Sequence, residues 1–353
     1  MRIGGRQPSG GGDATHSLKM KYSDKQNIDT FQSLVRTDLD SLEGSLQTAL
    51  SSRVPLIREI CRYIEDTPGK RLRPTCLFLA GRSSGNGHVD MIPAGLAVEL
   101  IHTATLLHDD IVDRHSTRRG KPTVYAKWGN RIATIMGDFL YSKAFACLGE
   151  AGLFDIMEIL ARVTHVISEG EMLQFQYSRD INVSEDGYLE MIYKKTASLF
   201  SASCECGAAL GGNGNGHRPR FSRFGENIGL AFQITDDLFD YLAIDKHIGK
   251  PTASDFSDGR VTLPFITSFR NAPDRAKRWI SDLFGTGTVV DEHWAEVVSF
   301  VQEYGGVEYA MNMARDFGEK AKGSLLHVEP SRERDALCYA ADYVVQRVDP
   351  FSK

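Results

Sequence analysis

Two short acidic runs constrain this chain more than any other feature. Residues 109–113 read Asp-Asp-Ile-Val-Asp and residues 236–240 read Asp-Asp-Leu-Phe-Asp. Helical spacing places i, i+3 and i+4 on one face, so each run gathers its carboxylates within about one turn. Like charges at that spacing repel by roughly 0.2–0.5 kcal/mol per pair, even on an exposed helix. Both runs follow apolar residues, Leu106 and Leu107 before the first, Phe232 and Ile234 before the second. Apolar surroundings make unpaired charge costlier. Hard divalent cations are the plain way to hold six such carboxylates, and Mg²⁺ commonly joins a few carboxylates to substrate phosphates. A solvated acidic face would account for one such run. Two runs of identical spacing inside apolar helices point to a metal site.

The remaining text is helical almost throughout. Strictly alternating strand-like runs are missing, and apolar residues recur at three and four. Helices are expected over 29–52, 55–66, 71–83, 91–113, 131–150, 154–178, 185–211 and 220–243, with shorter ones to residue 347. Gly and Pro punctuate the gaps. The segments 91–113, 154–178 and 220–243 are apolar on most faces and should be central. Residues 1–28, Gly-rich and without an apolar core segment, are expected to be a disordered tail. Residues 29–353 are read as one all-helical domain whose core helices enclose a site.

The bulk numbers narrow the function classes. Net charge is −5, so nothing global suggests nucleic-acid binding. No stretch approaches the ~20 apolar residues of a membrane span; the longest apolar segment, 91–107, is interrupted by Glu99 and His102. The six cysteines form no CxxC pair, which fits buried free thiols in a reducing cytoplasm.

Basic residues cluster around both acidic runs. Gly69-Lys70-Arg71-Leu72-Arg73-Pro74 enters a helix, Arg118-Arg119-Gly120-Lys121-Pro122-Thr123 reads as a loop, Lys194-Lys195-Thr196 lies inside a helix, and Gly249-Lys250-Pro251 follows the second run. His102 lies seven residues before Asp109, two turns down the same face. Carboxylate-held metals beside Arg forks and Lys point charges make the charge pattern of a polyphosphate site. Not every cation need bind, since an arginine can serve packing through its stem. Neither a GxxxxGK[ST] loop nor a GxGxxG turn is present.

Taken in order, these residues resemble the trans-isoprenyl diphosphate synthases, or polyprenyl synthetases. The likeness runs from about Gly69 to Pro264. It takes in Gly-Lys-Arg-Leu-Arg-Pro, Ile-His-Thr-Ala-Thr-Leu-Leu-His-Asp-Asp-Ile-Val-Asp, Arg-Arg-Gly-Lys-Pro-Thr, Gly-Asp-Phe-Leu and Glu-Gly-Glu-Met-Leu-Gln. It continues through Lys-Thr-Ala, Phe-Gln-Ile-Thr-Asp-Asp-Leu-Phe-Asp and Thr-Leu-Pro. Within the family the chain looks most like long-chain bacterial members of the octaprenyl diphosphate synthase type.

The resemblance implies an all-α isoprenoid-synthase bundle around a deep cavity, a cytoplasmic homodimer, and head-to-tail condensation of isopentenyl diphosphate onto an allylic primer such as geranyl or farnesyl diphosphate. It further implies Asp109 and Asp113 as ligands of two Mg²⁺ ions with Asp110 close by. Asp236 is implied as ligand of a third, supported by Asp237 and Asp240. Arg118, Lys195 and Lys250 match positions that grip the allylic diphosphate. Lys70, Arg73, His102 and Arg119 match positions that hold isopentenyl diphosphate, and Thr196 and Gln233 match positions lining the reacting carbons. Arg260 stands where many members have Lys. The departing diphosphate is the implied proton acceptor. Quinone side chains are the implied destination, with transient membrane contact as a long product leaves.

Product length becomes a matter of cavity depth. Ala104, five residues before Asp109, stands with Thr105 where short-chain members usually carry an aromatic. The next turn presents Ile101 and Leu100, so a long product is expected. A farnesyl or geranylgeranyl diphosphate synthase is the nearest alternative. A terpene cyclase needs only one diphosphate site, and a non-catalytic subunit would tend to lose an acidic run; both runs are intact here.

Overall fold

The computed structural model describes residues 28–67, 69–85, 89–212, 216–242, 259–285 and 291–348. Lys250 and most of the expected tail lie outside these. Ile28, the last residue of that expected tail, is buried and already helical. The helix expected over 29–52 ends at Ala49 and tightens into a 3₁₀ turn at Ser33–Val35 before continuing as α1 (Arg36–Ala49). Then come α2 (Pro55–Glu65), α3 (Leu72–Ser84), α4 (Ile92–Val112), a short α5 (Val124–Trp128), α6 (Asn130–Glu150) and α7 (Phe154–Tyr177). They are followed by α8 (Glu185–Ile192), α9 (Ser198–Leu210), α10 (Arg218–Leu242), α11 (Leu263–Asn271), α12 (Asp274–Gly285), α13 (Asp291–Glu303), α14 (Gly306–Ser324) and α15 (Arg332–Gln346).

Helix α4 carries the first acidic run. Proline in its first turn lacks only an N–H that a helix start leaves unpaired anyway. The Ile92 N–H donates to Asp90 Oδ1 at 2.9 Å. The helix ends as Arg114 turns to φ +53°, so Asp113 falls at its C-cap. Helix α10 carries the second run, and α9, α14 and α15 pack against it. One hydrophobic cluster joins α1–α7 with α9 and α15, and a second gathers α8 and α11–α13; α10 and α14 contribute to both, Phe224 and Ala321 to the first and Leu238 and Met311 to the second.

Three expectations change. The segment 154–178 is not enclosed: Phe154, Met172 and Phe175 of α7 are 63%, 67% and 70% exposed along one stripe. The innermost helices include α3 and α9 instead. Their small residues permit close approach; a Cβ at Gly207 would lie 2.0 Å from the Leu77 carbonyl oxygen. The helix expected over 185–211 is interrupted by a π-helical segment at Tyr193–Ala197. The Arg118–Thr123 loop contains a two-stranded hairpin, β1 (Thr117–Arg118) and β2 (Lys121–Pro122), pairing Thr117 with Pro122 and Arg118 with Lys121. Its turn residues Arg119 and Gly120 have φ +52° and +78°, as a tight two-residue hairpin requires.

Candidate active site

Each carboxylate of the first run meets a cation. Arg118 donates from Nε at 3.0 Å and Nη2 at 2.9 Å to Asp110 Oδ1. Asp110 is 3% exposed, and burial, the largest effect, raises its carboxyl above the ordinary value despite Arg118. Lys195 Nζ lies 3.6 Å from Asp109 Oδ2 and donates to Glu171 Oε2 at 2.8 Å. Asp113 forms an ion pair with Arg260. Burial and then the Asp109 charge push Glu171 up to about 7, the mark of carboxylates crowded in a dry site.

The π-helical segment explains how two successive lysines serve different ends. An extra residue in one turn rotates the rest of the helix about its axis, and such bulges recur at functional sites. Lys194 turns to Glu169 and Glu190, at 3.0 and 3.1 Å. Lys195 turns to Glu171 and Asp109. The segment presses on α7 at Gly170, where a Cβ would stand 2.5 Å from the Lys195 nitrogen.

The second run is anchored from both sides. Thr196 Oγ1 donates to Gln233 Oε1 at 2.8 Å. Gln233 Nε2 donates to Asp237 Oδ1 at 2.8 Å, and the Tyr188 hydroxyl donates to Asp237 Oδ2 at 2.6 Å. Asp236 accepts from Arg347 Nη2 at 2.7 Å, while that guanidinium lies over Phe232 and Phe239, 4.8 and 5.0 Å from their centroids. Asp240 lies one turn on, at the half-buried end of α10. A cavity of about 160 Å³ is lined by Lys195, Thr196, Gln233, Asp236, Asp237 and Arg260. Since Lys195 also reaches Asp109 and Arg260 reaches Asp113, both runs flank one site.

A second basic group gathers beside it. Arg73 Nη1 meets His102 Nε2 at 3.2 Å, and its guanidinium lies 4.4 Å from the Phe200 centroid. Burial lowers Arg73 to about 10. Burial first, then Arg73, hold His102 well below its ordinary value, so the ring is neutral and its Nε2 accepts. Lys70 Nζ reaches the Tyr343 hydroxyl at 3.1 Å. Arg119 donates to the Thr67 carbonyl at 3.0 Å. Arg71, by contrast, is structural. It pairs with Glu43 at 2.6 Å and with Glu99 at 2.6 Å.

Ala104 and Ile101 are fully buried on α4, and Thr105, half-buried, donates to the His102 carbonyl at 2.7 Å. The apolar cavity beside α4 touches Leu100, Thr103, Leu106 and Leu107 but not Ala104 itself. Sequence reasoning missed Glu171, Tyr188 and Arg347. Glu171 belongs to the Glu-Gly-Glu-Met-Leu-Gln motif, whose residues carried no assigned role; Tyr188 and Arg347 belong to no motif.

Among the described residues, no three His, Cys, Asp or Glu side chains form a ready metal cage. The donor set still suits a hard divalent ion. It is all carboxylate oxygen, and Asp109, Asp113 and Asp236 are each balanced by a cationic side chain where a metal's charge would serve.

The polyprenyl synthetase family profile matches residues 54–301. Octaprenyl diphosphate synthase of Haemophilus influenzae is 34% identical over 328 residues, 93% of this chain and 99% of that one. Geranylgeranyl diphosphate synthase of Methanosarcina mazei is 34% identical over 320 residues, 88% of this chain and 97% of that one. The crystal structure of a polyprenyl synthase from Caulobacter crescentus, complexed with calcium and isoprenyl diphosphate, superposes with a TM-score of 0.85 at 34% identity, covering 90% of this chain and 97% of that one. The relatives make both long and shorter products, so they agree on the chemistry and differ on chain length. With two acidic runs flanking one cleft and two groups of cations beside them, the chain belongs to the polyprenyl synthetase family and is a prenyltransferase, a trans-prenyl diphosphate synthase of the all-α isoprenoid-synthase fold.

Proposed function

We propose that this enzyme makes a long all-trans product, elongating a geranyl or farnesyl primer with isopentenyl diphosphate, using three Mg²⁺ ions held by Asp109, Asp113 and Asp236. Bound Mg²⁺ supplies Lewis-acid neutralisation of the leaving diphosphate. Arg118, Lys195 and Lys250 grip the allylic diphosphate, and Glu171 aims Lys195. Lys70, Arg73, Arg119 and neutral His102 hold isopentenyl diphosphate. Thr196 and Gln233 stand by the reacting carbons. Asp237 and Asp240 steady the second acidic run.

The observation that carries the long-chain reading is the small side chain of Ala104 on the apolar face below Asp109. A helix advances about 5.4 Å per turn, comparable to one extended isoprene unit, so each turn can gate about one unit. Ala104→Tyr is expected to stop elongation at about fifteen to twenty carbons, while the wild type reaches about thirty or more, on that per-turn spacing. Chromatographic sizing of dephosphorylated products tests this. An active variant that makes the wild-type product would refute it, and a short wild-type product would favour the geranylgeranyl alternative.

The exposed stripe of Phe154, Met172 and Phe175, with Ile135 of α6 60% exposed, supports a homodimer formed through α6 and α7. No described helix is long and apolar enough to cross a membrane. A cytoplasmic enzyme supplying quinone side chains, touching membranes only to release product, fits these features.

A further inference from the structure

The turn that carries Lys70 is pinned from several directions. Arg71, the residue after it, sits at φ +52°, left-handed backbone that residues with a Cβ seldom adopt. Such a conformation persists where its surroundings over-determine it. The Arg71 guanidinium is caught between Glu43 and Glu99. The Arg71 carbonyl accepts from Thr75 Oγ1 at 2.7 Å, and the Lys70 carbonyl accepts from Gln32 Nε2 at 2.8 Å. On the other side of Lys70, the Arg119 guanidinium lies 3.2 Å from where a Cβ on Gly69 would stand.

Gln32 is the unassigned member of this arrangement. It stands just before the 3₁₀ turn Ser33–Val35 and is 6% exposed. Its amide nitrogen also donates to Thr75 Oγ1, at 3.0 Å. Thr75 spends its own proton on the Arg71 carbonyl, so it can only accept from Gln32. Both partners of Gln32 Nε2 are therefore acceptors, which fixes the orientation of the amide. The position calls for two N–H donors on one atom, and a carboxylate of the same shape has none. Phe31, beside Gln32, packs against Tyr343 of α15 with ring centroids 5.7 Å apart. The Tyr343 hydroxyl accepts from Lys70 Nζ at 3.1 Å. The first helical segment thus holds the lysine's main chain and the last helix its ammonium. Lys70 is exposed, and an exposed lysine left untethered disperses over many rotamers. Arg73 needs no such help, since His102 and Phe200 hold its guanidinium.

We infer that Gln32 and Tyr343 are positioning residues for isopentenyl diphosphate, fixing Lys70 from opposite ends of the chain so that its ammonium is aimed before the substrate arrives. The inference rests on the assignment of Lys70 to the isopentenyl site and adds two residues that no motif of the sequence contains. Preorganisation acts by lowering the ordering cost of binding. The effect therefore falls on isopentenyl diphosphate and spares the allylic diphosphate, whose cations Arg118 and Lys195 are held separately by Asp110 and Glu171.

Gln32→Met keeps the buried volume and removes both donors; Gln32→Leu replaces it should that variant misfold. Tyr343→Phe keeps the ring and removes the acceptor. One hydrogen bond is worth about two- to tenfold in an equilibrium. Steady-state kinetics should show each variant raising KM for isopentenyl diphosphate by about that factor, with kcat and KM for farnesyl diphosphate unchanged. Lys70→Met should raise KM for isopentenyl diphosphate by about tenfold or more. Added to Lys70→Met, the Gln32 and Tyr343 changes should alter KM little further, because the lysine they hold is gone. Unchanged KM in the Gln32 and Tyr343 variants, equal rises for both substrates, or effects that add in full to Lys70→Met would overturn the positioning role alone. Loss of the fold in both Gln32 variants would overturn it for Gln32, marking that residue as structural. Lys70→Met with an unchanged KM for isopentenyl diphosphate would overturn the isopentenyl-site assignment of Lys70 and the inference with it.

Discussion

Tyr188 offers the sharpest test of how the second acidic run is held. Its ring is fully buried, and its hydroxyl donates to Asp237 Oδ2 at 2.6 Å. Asp237 is 6% exposed and takes a second donor from Gln233 at 2.8 Å. Tyr188→Phe keeps the ring and its packing and removes only the donor. A hydrogen bond to a charged group contributes about 1.5–3 kcal/mol, and Asp237 has other contacts, so the lower end is expected, near 1.5 kcal/mol. With 353 residues and about 2.1 cal/mol/K of unfolding entropy per residue, that is a fall of about 2 °C in Tm. The functional effect should be of similar size, because Asp237 orients its neighbours: kcat is expected to drop about tenfold, equivalent to ~1.4 kcal/mol. Differential scanning calorimetry and single-turnover kinetics at saturating substrate measure the two. The cycle with Asp237→Asn should show coupling, since the residues share one hydrogen bond. Additive effects, or a Tyr188→Phe enzyme indistinguishable from wild type, would show that this contact does not position the site.

Three further outcomes are expected. Asp109→Ala and Asp236→Ala should each lower turnover by orders of magnitude while melting persists, and EDTA should act likewise until Mg²⁺ is restored; near wild-type turnover in either variant would remove that run from the site. Arg119→Ala should mainly raise KM for isopentenyl diphosphate, whereas Arg118→Ala should weaken the allylic substrate, each by about tenfold to a hundredfold, and Arg118→Ala should also lower Tm because Asp110 then stays buried without its cation; equal effects on both substrates would contradict the assignment. Burial and nearby guanidinium groups hold His102 below 6.5, so below that pH the unfolded chain takes up a proton the folded chain refuses and stability falls with acid by up to ~1.4 kcal/mol per pH unit. His102→Gln should remove that part of the slope between pH 6.5 and 5, read from melting curves; an unchanged slope would place the acid sensitivity elsewhere.

The motif residues were legible because their chemistry is local. Three acids in one helical turn, or Lys beside Arg at a helix entry, announce themselves without knowledge of the fold. Their partners were not legible, because each is a single residue brought from afar. Tyr188 is 49 residues from Asp237 and Arg347 is 111 residues from Asp236. Neither has a neighbour of unusual type. Arg71 shows the converse, since its motif suggests a ligand-binding cation and only Glu43 and Glu99, each 28 residues away, reveal a structural one. The π-helical segment was hidden for another reason. One inserted residue scarcely disturbs the apolar period over 185–211, yet it decides which of two adjacent lysines enters the site.

Helix α7 marks where periodicity stops informing. A helix apolar on most faces reads as central because burial is the usual destination of apolar surface. Periodicity reports which faces avoid water, and it does not say what covers them. In α7 one face packs into the bundle through Ile156, Ile159, Leu160, Val163 and Ile167, while Phe154, Met172 and Phe175 face outward. Three large exposed side chains on one stripe are more than scattered surface apolars. The same helix carries Gly170 and Glu171, which set the π-helical segment and Lys195 against Asp109. Whatever covers the outer stripe therefore bears on the helix that aims a diphosphate-binding lysine. Disturbing that cover should register in allylic-substrate binding before it registers in the second acidic run, whose anchors Tyr188, Gln233 and Arg347 all lie outside α7.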